Sequence, residues 1–259
     1  MALMGKNGSG KSTFMRLIAQ QELYDSGDIR FQGQSLSSTK VKINSENAFI
    51  SEDHELPFSI KLGEWAKMFQ KIYPQFDDNL LRQLTQSLDV DLQKSYQALS
   101  RGQKMKALFS LLAAKKPSIY MLDEITAVLD SGSRWTLMQF LKEELKRGCL
   151  IMMSTNIASE MQGFATDVVF LKNGKINFSS KCSDLGARFV KIRVPKDLEP
   201  TIAKNWGGRK ILFNNDESWT YLCSKAQLNT TLPSGVETDK REVNIADVQA
   251  FFTAEESEV

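Results

Sequence analysis

The chain has 259 residues, 42% of them hydrophobic and 25% charged, enough apolar material for a buried core and too much for a disordered or collagen-like chain. Lys+Arg number 33 and Asp+Glu 31, so a net charge of +2 offers no bulk electrostatic footprint for nucleic acid. The cysteines Cys149, Cys182 and Cys223 form no CxxC pair and read as reduced thiols, not as a disulfide framework or a zinc site. No apolar run approaches the roughly 20 residues that span a bilayer, and no secretion signal is visible.

The first predicted element is a strand stub, Ala2-Leu3-Met4. It runs into Gly5-Lys6-Asn7-Gly8-Ser9-Gly10-Lys11-Ser12, followed by Thr13, which fits the phosphate-loop pattern G-x-x-x-x-G-K-[ST]. Glycines let such a loop curl so that successive N–H groups face phosphate oxygens. Lys11 is placed to reach the β- and γ-phosphates, and Ser12 to ligate magnesium. The segment 13–21 then predicts a helix whose positive end faces the phosphates.

Residues 47–60 read as a strand and an acidic loop holding Glu52, Asp53 and Glu55, with His54 an exposed loop residue. Over 61–97, Leu62, Trp65, Phe69 and Ile72, and then Leu80, Leu81, Leu84 and Leu88, recur at helical spacing. Ser100-Arg101-Gly102-Gln103 fits a helix-capping box before a helical stretch, 104–116. Residues 118–124 predict a buried parallel strand ending in Asp123-Glu124, two carboxylates at the sheet edge where α/β folds bind ligands. Asp123 suits holding magnesium through water, and Glu124 suits polarising a water in line with a γ-phosphate.

The order phosphate loop, Leu99-Ser100-Arg101-Gly102-Gln103, then Asp123-Glu124 resembles the ATP-binding cassette (ABC) ATPases. The resemblance covers roughly residues 1–180. It implies an α/β P-loop NTPase fold with a mainly parallel sheet and a helical subdomain at about 61–115. It also implies ATP and Mg2+ as ligands, and a head-to-tail dimer in which Ser100, Arg101, Gly102 and Gln103 serve the partner's nucleotide. Leu129-Asp130 matches the family's dimer-contacting loop. Glu52 stands where the family has a magnesium-contacting glutamine, a hard oxygen donor in either case.

The strand 150–156 ends in Asn156, where the family has a switch histidine. An amide donates a hydrogen bond to phosphate but carries no charge, so binding of ATP is expected to outrun its hydrolysis. Tyr73-Pro74-Gln75-Phe76-Asp77 resembles the cassettes of ABC-2-type exporters. The function implied is an ATPase subunit on the cytoplasmic side of the inner membrane. It would energise export through a separate permease, as a homo- or heterodimer with a second ATP-binding subunit and with no nucleic-acid partner. A catalytically impaired regulatory cassette and a soluble non-transport ATPase are the alternatives. The strands and adenine-stacking aromatic that the family places ahead of Gly5 have no counterpart here, so weak adenine selectivity is expected.

After a turn at Asn173-Gly174, residues 181–259 read as a small α+β appendage. Its expected strands are 189–194, 210–213 and 219–223, with a turn at 207–208 and a closing helix at 243–252.

Overall fold

The computed structural model describes residues 1–31, 33–35, 46–57, 59–198, 208–213, 218–226, 228, 232 and 234–253. Gly207 of the expected turn and Phe58 of the acidic loop lie outside them. The first half of the chain contains β1 (Ala2–Met4), α1 (Lys11–Ile18), β2 (Arg30–Phe31), β3 (Gln34–Ser35), β4 (Asn47–Ser51), α2 (Leu62–Ile72), α3 (Asp78–Ser87), α4 (Arg101–Ala113) and β5 (Ile119–Asp123). There follow α5 (Ser131–Lys146), β6 (Leu150–Ser154), α6 (Ala158–Met161), β7 (Asp167–Lys172), β8 (Lys175–Lys181), α7 (Leu185–Arg188), β9 (Phe189–Pro195), β10 (Arg209–Phe213), β11 (Ser218–Ser224), β12 (Glu237–Thr238) and α8 (Ile245–Thr253). They make two compact units, residues 11–155 and residues 1–10 with 156–259.

In residues 11–155 the strands β4, β5 and β6 pair in parallel. Every residue of β4 and β5 is buried, which explains their near-continuous apolar runs. The register aligns Ser51 with Asp123 and Asp123 with Ser154, so all three polar strand ends share the carboxyl edge. Helix α4 spans 101–113, earlier than the periodicity of 104–116 suggests. The Ser100–Gln103 capping box starts it, and Lys116, with φ +54, lies just beyond its end. Likewise α1 ends at Ile18, ahead of Gln20 in the left-handed region (φ +57), where a longer helix to 21 was expected. Helices α2 and α3 turn Leu62, Trp65 and Ala66, and Leu81, Leu84 and Thr85, inward. Asp77 caps α3 by accepting the Leu80 N–H at 3.0 Å.

In the other unit β1 pairs in parallel with β7, and β7 pairs antiparallel with β8. Asn173 (φ +51) and Gly174 (φ +73) make the tight turn between them, the positive φ pair that such a hairpin needs. A second, antiparallel sheet has the order β10-β11-β9-β12. It closes over Ile192, Val194, Tyr221, Cys223 and Val236. Helix α8 begins with reciprocal bonds: Asn244 N–H donates to Asp247 Oδ2 at 2.7 Å, and Asp247 N–H to Asn244 Oδ1 at 3.0 Å. Buried Lys191 pairs with Asp247 at 2.6 Å and fixes that helix start to β9.

Candidate nucleotide site

Within residues 11–155, α1 opens on Lys11, Ser12 and Thr13. Lys11 is 4% exposed, and its Nζ lies 3.2 Å from Glu124 Oε1. Glu124 follows β5 in the left-handed region, φ +53, a strained setting for a residue with a side chain. Its N–H donates to Ser154 Oγ at 3.0 Å and to the Ser154 carbonyl at 3.2 Å. Ser154 Oγ in turn donates to Asp123 Oδ1. One hydroxyl on β6 therefore ties the Asp123 carboxylate to the Glu124 backbone at the end of β5. Ser154 is a site residue that sequence reasoning passed over as part of a strand; its only signal is the inter-strand register, which no local pattern carries.

The Ser100–Gly102 segment is built by the helix cap and by close packing. Ser100 Oγ accepts the Gln103 N–H at 3.4 Å, and the Ser100 N–H donates to Gln103 Oε1 at 3.1 Å. A Cβ on Gly102 would lie 2.9 Å from the Val128 carbonyl oxygen, so glycine is required there by space. Arg101 forms an ion pair with Glu52, which brings two expected site residues together. The neighbouring acids are also engaged: Glu55 pairs with Lys104 at 3.1 Å and Asp53 with Arg16 at 3.0 Å. His54 is half-buried, not exposed as expected; burial lowers its pKa, and its carbonyl accepts the Tyr96 hydroxyl at 2.7 Å. Asp130 caps α5, accepting the Ser133 N–H and hydroxyl at 2.8 Å each and Lys106 Nζ at 2.8 Å. The Lys106 hydrogen bond, then those from Ser133, hold its carboxyl far below the usual carboxylate range.

In the unit of residues 1–10 with 156–259, Gly5–Gly10 form the loop after β1. A Cβ on Gly5 would lie 2.5 Å from both the Leu171 carbonyl oxygen and Ser9 Oγ. Ser9 O accepts the Gly174 N–H at 2.9 Å. Ser9 Oγ is buried with no hydrogen-bond partner, a donor in the loop that an anion would satisfy. Asn156 Nδ2 donates to Asn7 Oδ1 at 2.8 Å, so the residue at the switch position touches the loop directly. The Asn156 carbonyl accepts Gln249 Nε2 from α8 at 3.0 Å, a contact absent from the sequence reading.

Among the described residues no three or more His, Cys, Asp or Glu side chains cluster as a metal site. Ser12 and the buried Asp123 are hard oxygen donors suited to Mg2+, which takes one or two protein oxygens and completes its shell with phosphates and water. Among the described residues no helix is long and apolar enough to cross a membrane.

The family model described as ABC transporter matches residues 1–127. The chain is 30% identical to the probable sulfate/thiosulfate import ATP-binding protein CysA of Chlorella vulgaris, over 68% of this chain and 77% of that protein. It is 28% identical to the ABC transporter ATP-binding protein YtrB of Bacillus subtilis (strain 168), over 78% of this chain and 69% of that protein. The fold is similar to a solved ATP-binding subunit of an ABC transporter, with a TM-score of 0.66 at 24% identity over 72% of this chain and 80% of that one. A dimeric ATP-binding cassette bound to ADP and phosphate aligns with a TM-score of 0.59 at 21% identity, over 70% of this chain and 84% of that one. With the loop lysine facing the strand-end carboxylate and these relatives on either side, the chain belongs to the ATP-binding proteins of ABC transporters.

Proposed function

We propose that the chain hydrolyses ATP to energise export through a separate membrane permease, working as a dimer on the cytoplasmic face. The observation that carries the catalytic part is the 3.2 Å approach of Lys11 to Glu124, a phosphate-binding cation beside a candidate base. The loop glycines, with Asn7, Ser9, Lys11 and Thr13, would cradle the phosphates. Mg2+, held by Ser12 and Asp123 and joined by Glu52 once Arg101 releases it, would supply charge neutralisation at the phosphates. Glu124 would accept the proton of the attacking water, its position set by Ser154. Ser100, Gly102, Gln103 and Asp130 would face the second subunit. The export direction is supported by residues 73–77, and residues 1–180 and 181–259 are proposed as catalytic domain and appendage.

Glu124→Gln tests this: ATP binding should persist while turnover falls to background. Turnover equal to that of the parent chain sinks the assignment.

A second reading, a nucleotide-binding cassette that pairs with a more active subunit, is supported by Asn156. Its neutral amide reaches Asn7 but cannot carry the charge of an imidazolium. Asn156→His should raise turnover of the purified chain about 100-fold, the low end of general acid–base contributions. Unchanged or lower turnover removes this reading.

A further inference from the structure

A cavity of about 250 Å³ opens within residues 11–155, lined by the chain just past α1, by β4 and by the end of α4. Ala19, Phe49 and Leu112 supply apolar wall, and Asn47, His54 and Lys115 bring polar groups. It shares no lining residue with the phosphate loop, with Lys11 and Ser12, or with the carboxylates that follow β5.

Two of its polar groups are deeply placed. Lys115 is 3% exposed; it donates to the Asn47 carbonyl at 2.9 Å and sits 4.3 Å over the Tyr73 ring. Burial nevertheless pushes its pKa down to about 8. Carbonyl and ring are neutral, so an anion beside the ammonium would add a charge-assisted hydrogen bond that they do not supply. Asn47 is 7% exposed, and its Nδ2 is buried with no hydrogen-bond partner among the described residues. A buried amide donor left unpaired pays its desolvation without return, and native structures rarely leave one so. The two donors belong to one place, because Lys115 is bonded to the backbone of Asn47 itself.

We propose that this cavity binds a small monocarboxylate with a short apolar tail: one carboxylate oxygen accepts from the Lys115 ammonium, the other from the Asn47 amide, and the tail lies against Ala19, Phe49 and Leu112. One cation matches one negative charge. Phosphate or sulfate brings more charge and more oxygens than these two donors can satisfy. A neutral amide would leave the ammonium uncompensated, and a purely apolar guest would leave both donors unmet.

An NMR titration of the full chain with sodium isovalerate at pH 7 tests this, with isovaleramide as the neutral isostere and inorganic phosphate as the competing anion. The Asn47 side-chain amide and the Lys115 Cε resonance should shift together and half-saturate at about 1–10 mM, the scale of a ligand with so few atoms. Isovaleramide and phosphate should each bind at least about tenfold more weakly. Lys115→Met keeps an apolar stem and removes the charge, and should weaken isovalerate at least about tenfold at the Asn47 resonance. Asn47→Ala removes the second donor and should weaken it about threefold or more at the Lys115 resonance. Circular dichroism checks that both variants fold; the three-ligand comparison in the unaltered chain stands without them. Absence of shifts at either residue up to about 50 mM isovalerate, equal affinity for isovaleramide, tighter binding of phosphate, or undiminished affinity in folded Lys115→Met overturns the proposal. None of these outcomes depends on what the phosphate loop binds.

Discussion

Replacing Ser154 by alanine removes a hydroxyl that donates to Asp123 Oδ1 and accepts the Glu124 N–H at 3.0 Å. Asp123 is 5% exposed and Ser154 fully buried, so water cannot substitute without rearrangement. A hydrogen bond to a charged group contributes about 1.5–3 kcal/mol, and a neutral one about 1 kcal/mol. The neutral loss is partly offset, because the Glu124 N–H also reaches the Ser154 carbonyl at 3.2 Å. The expected cost is therefore about 2–3 kcal/mol, dominated by the carboxylate left without its donor. Urea titration followed by circular dichroism measures it. In an Asp123→Asn background the charge is gone, and the cost of Ser154→Ala should fall by about 1–2 kcal/mol, the coupling typical of residues in one network. Turnover should fall as well, since Glu124 loses its guide. A cost below about 0.5 kcal/mol, or the same cost in both backgrounds, refutes the idea that Ser154 organises this edge.

Buried Lys115 donates to the Asn47 carbonyl at 2.9 Å and sits 4.3 Å over the Tyr73 ring, and burial lowers its pKa from 10.5 to about 8. The unfolded chain thus holds a proton that the folded chain loses between these values. Stability should rise across pH 8 to 10.5, by up to about 3 kcal/mol, and Lys115→Met should abolish that part of the rise in denaturant titrations. A rise of the same size in the variant refutes this. Gly102→Ala places a Cβ 2.9 Å from the Val128 carbonyl oxygen and should destabilise by about 1–3 kcal/mol in the same titration. Unchanged stability would show that the backbone yields there.

What the sequence revealed depends on how local each determinant is. The turn-rich loop after Met4, the capping box at Ser100 and the apolar strand before Asp123 are contiguous patterns, and a loop, a cap and a strand form at those places. Element ends were less legible. The left-handed residues at Gln20 and Lys116 lie beyond a helix end without any glycine to announce it. The long-range partners were not legible: Ser154 meets Asp123 through strand register, and Gln249 reaches the Asn156 carbonyl from 93 residues further along the chain. Charge pairs followed the same rule. Nothing local distinguishes Glu52, which meets Arg101, from Asp53, which meets Arg16.

Lys11 and Glu124 hold each other's charge before any phosphate arrives. The same ammonium cannot remain on Glu124 and reach a phosphate oxygen at full strength. On the proposed reading, a triphosphate in the loop would compete with Glu124 for the one ammonium of Lys11. The ion pair would then act as an interlock, in which the anion to be cleaved frees the carboxylate proposed to activate water.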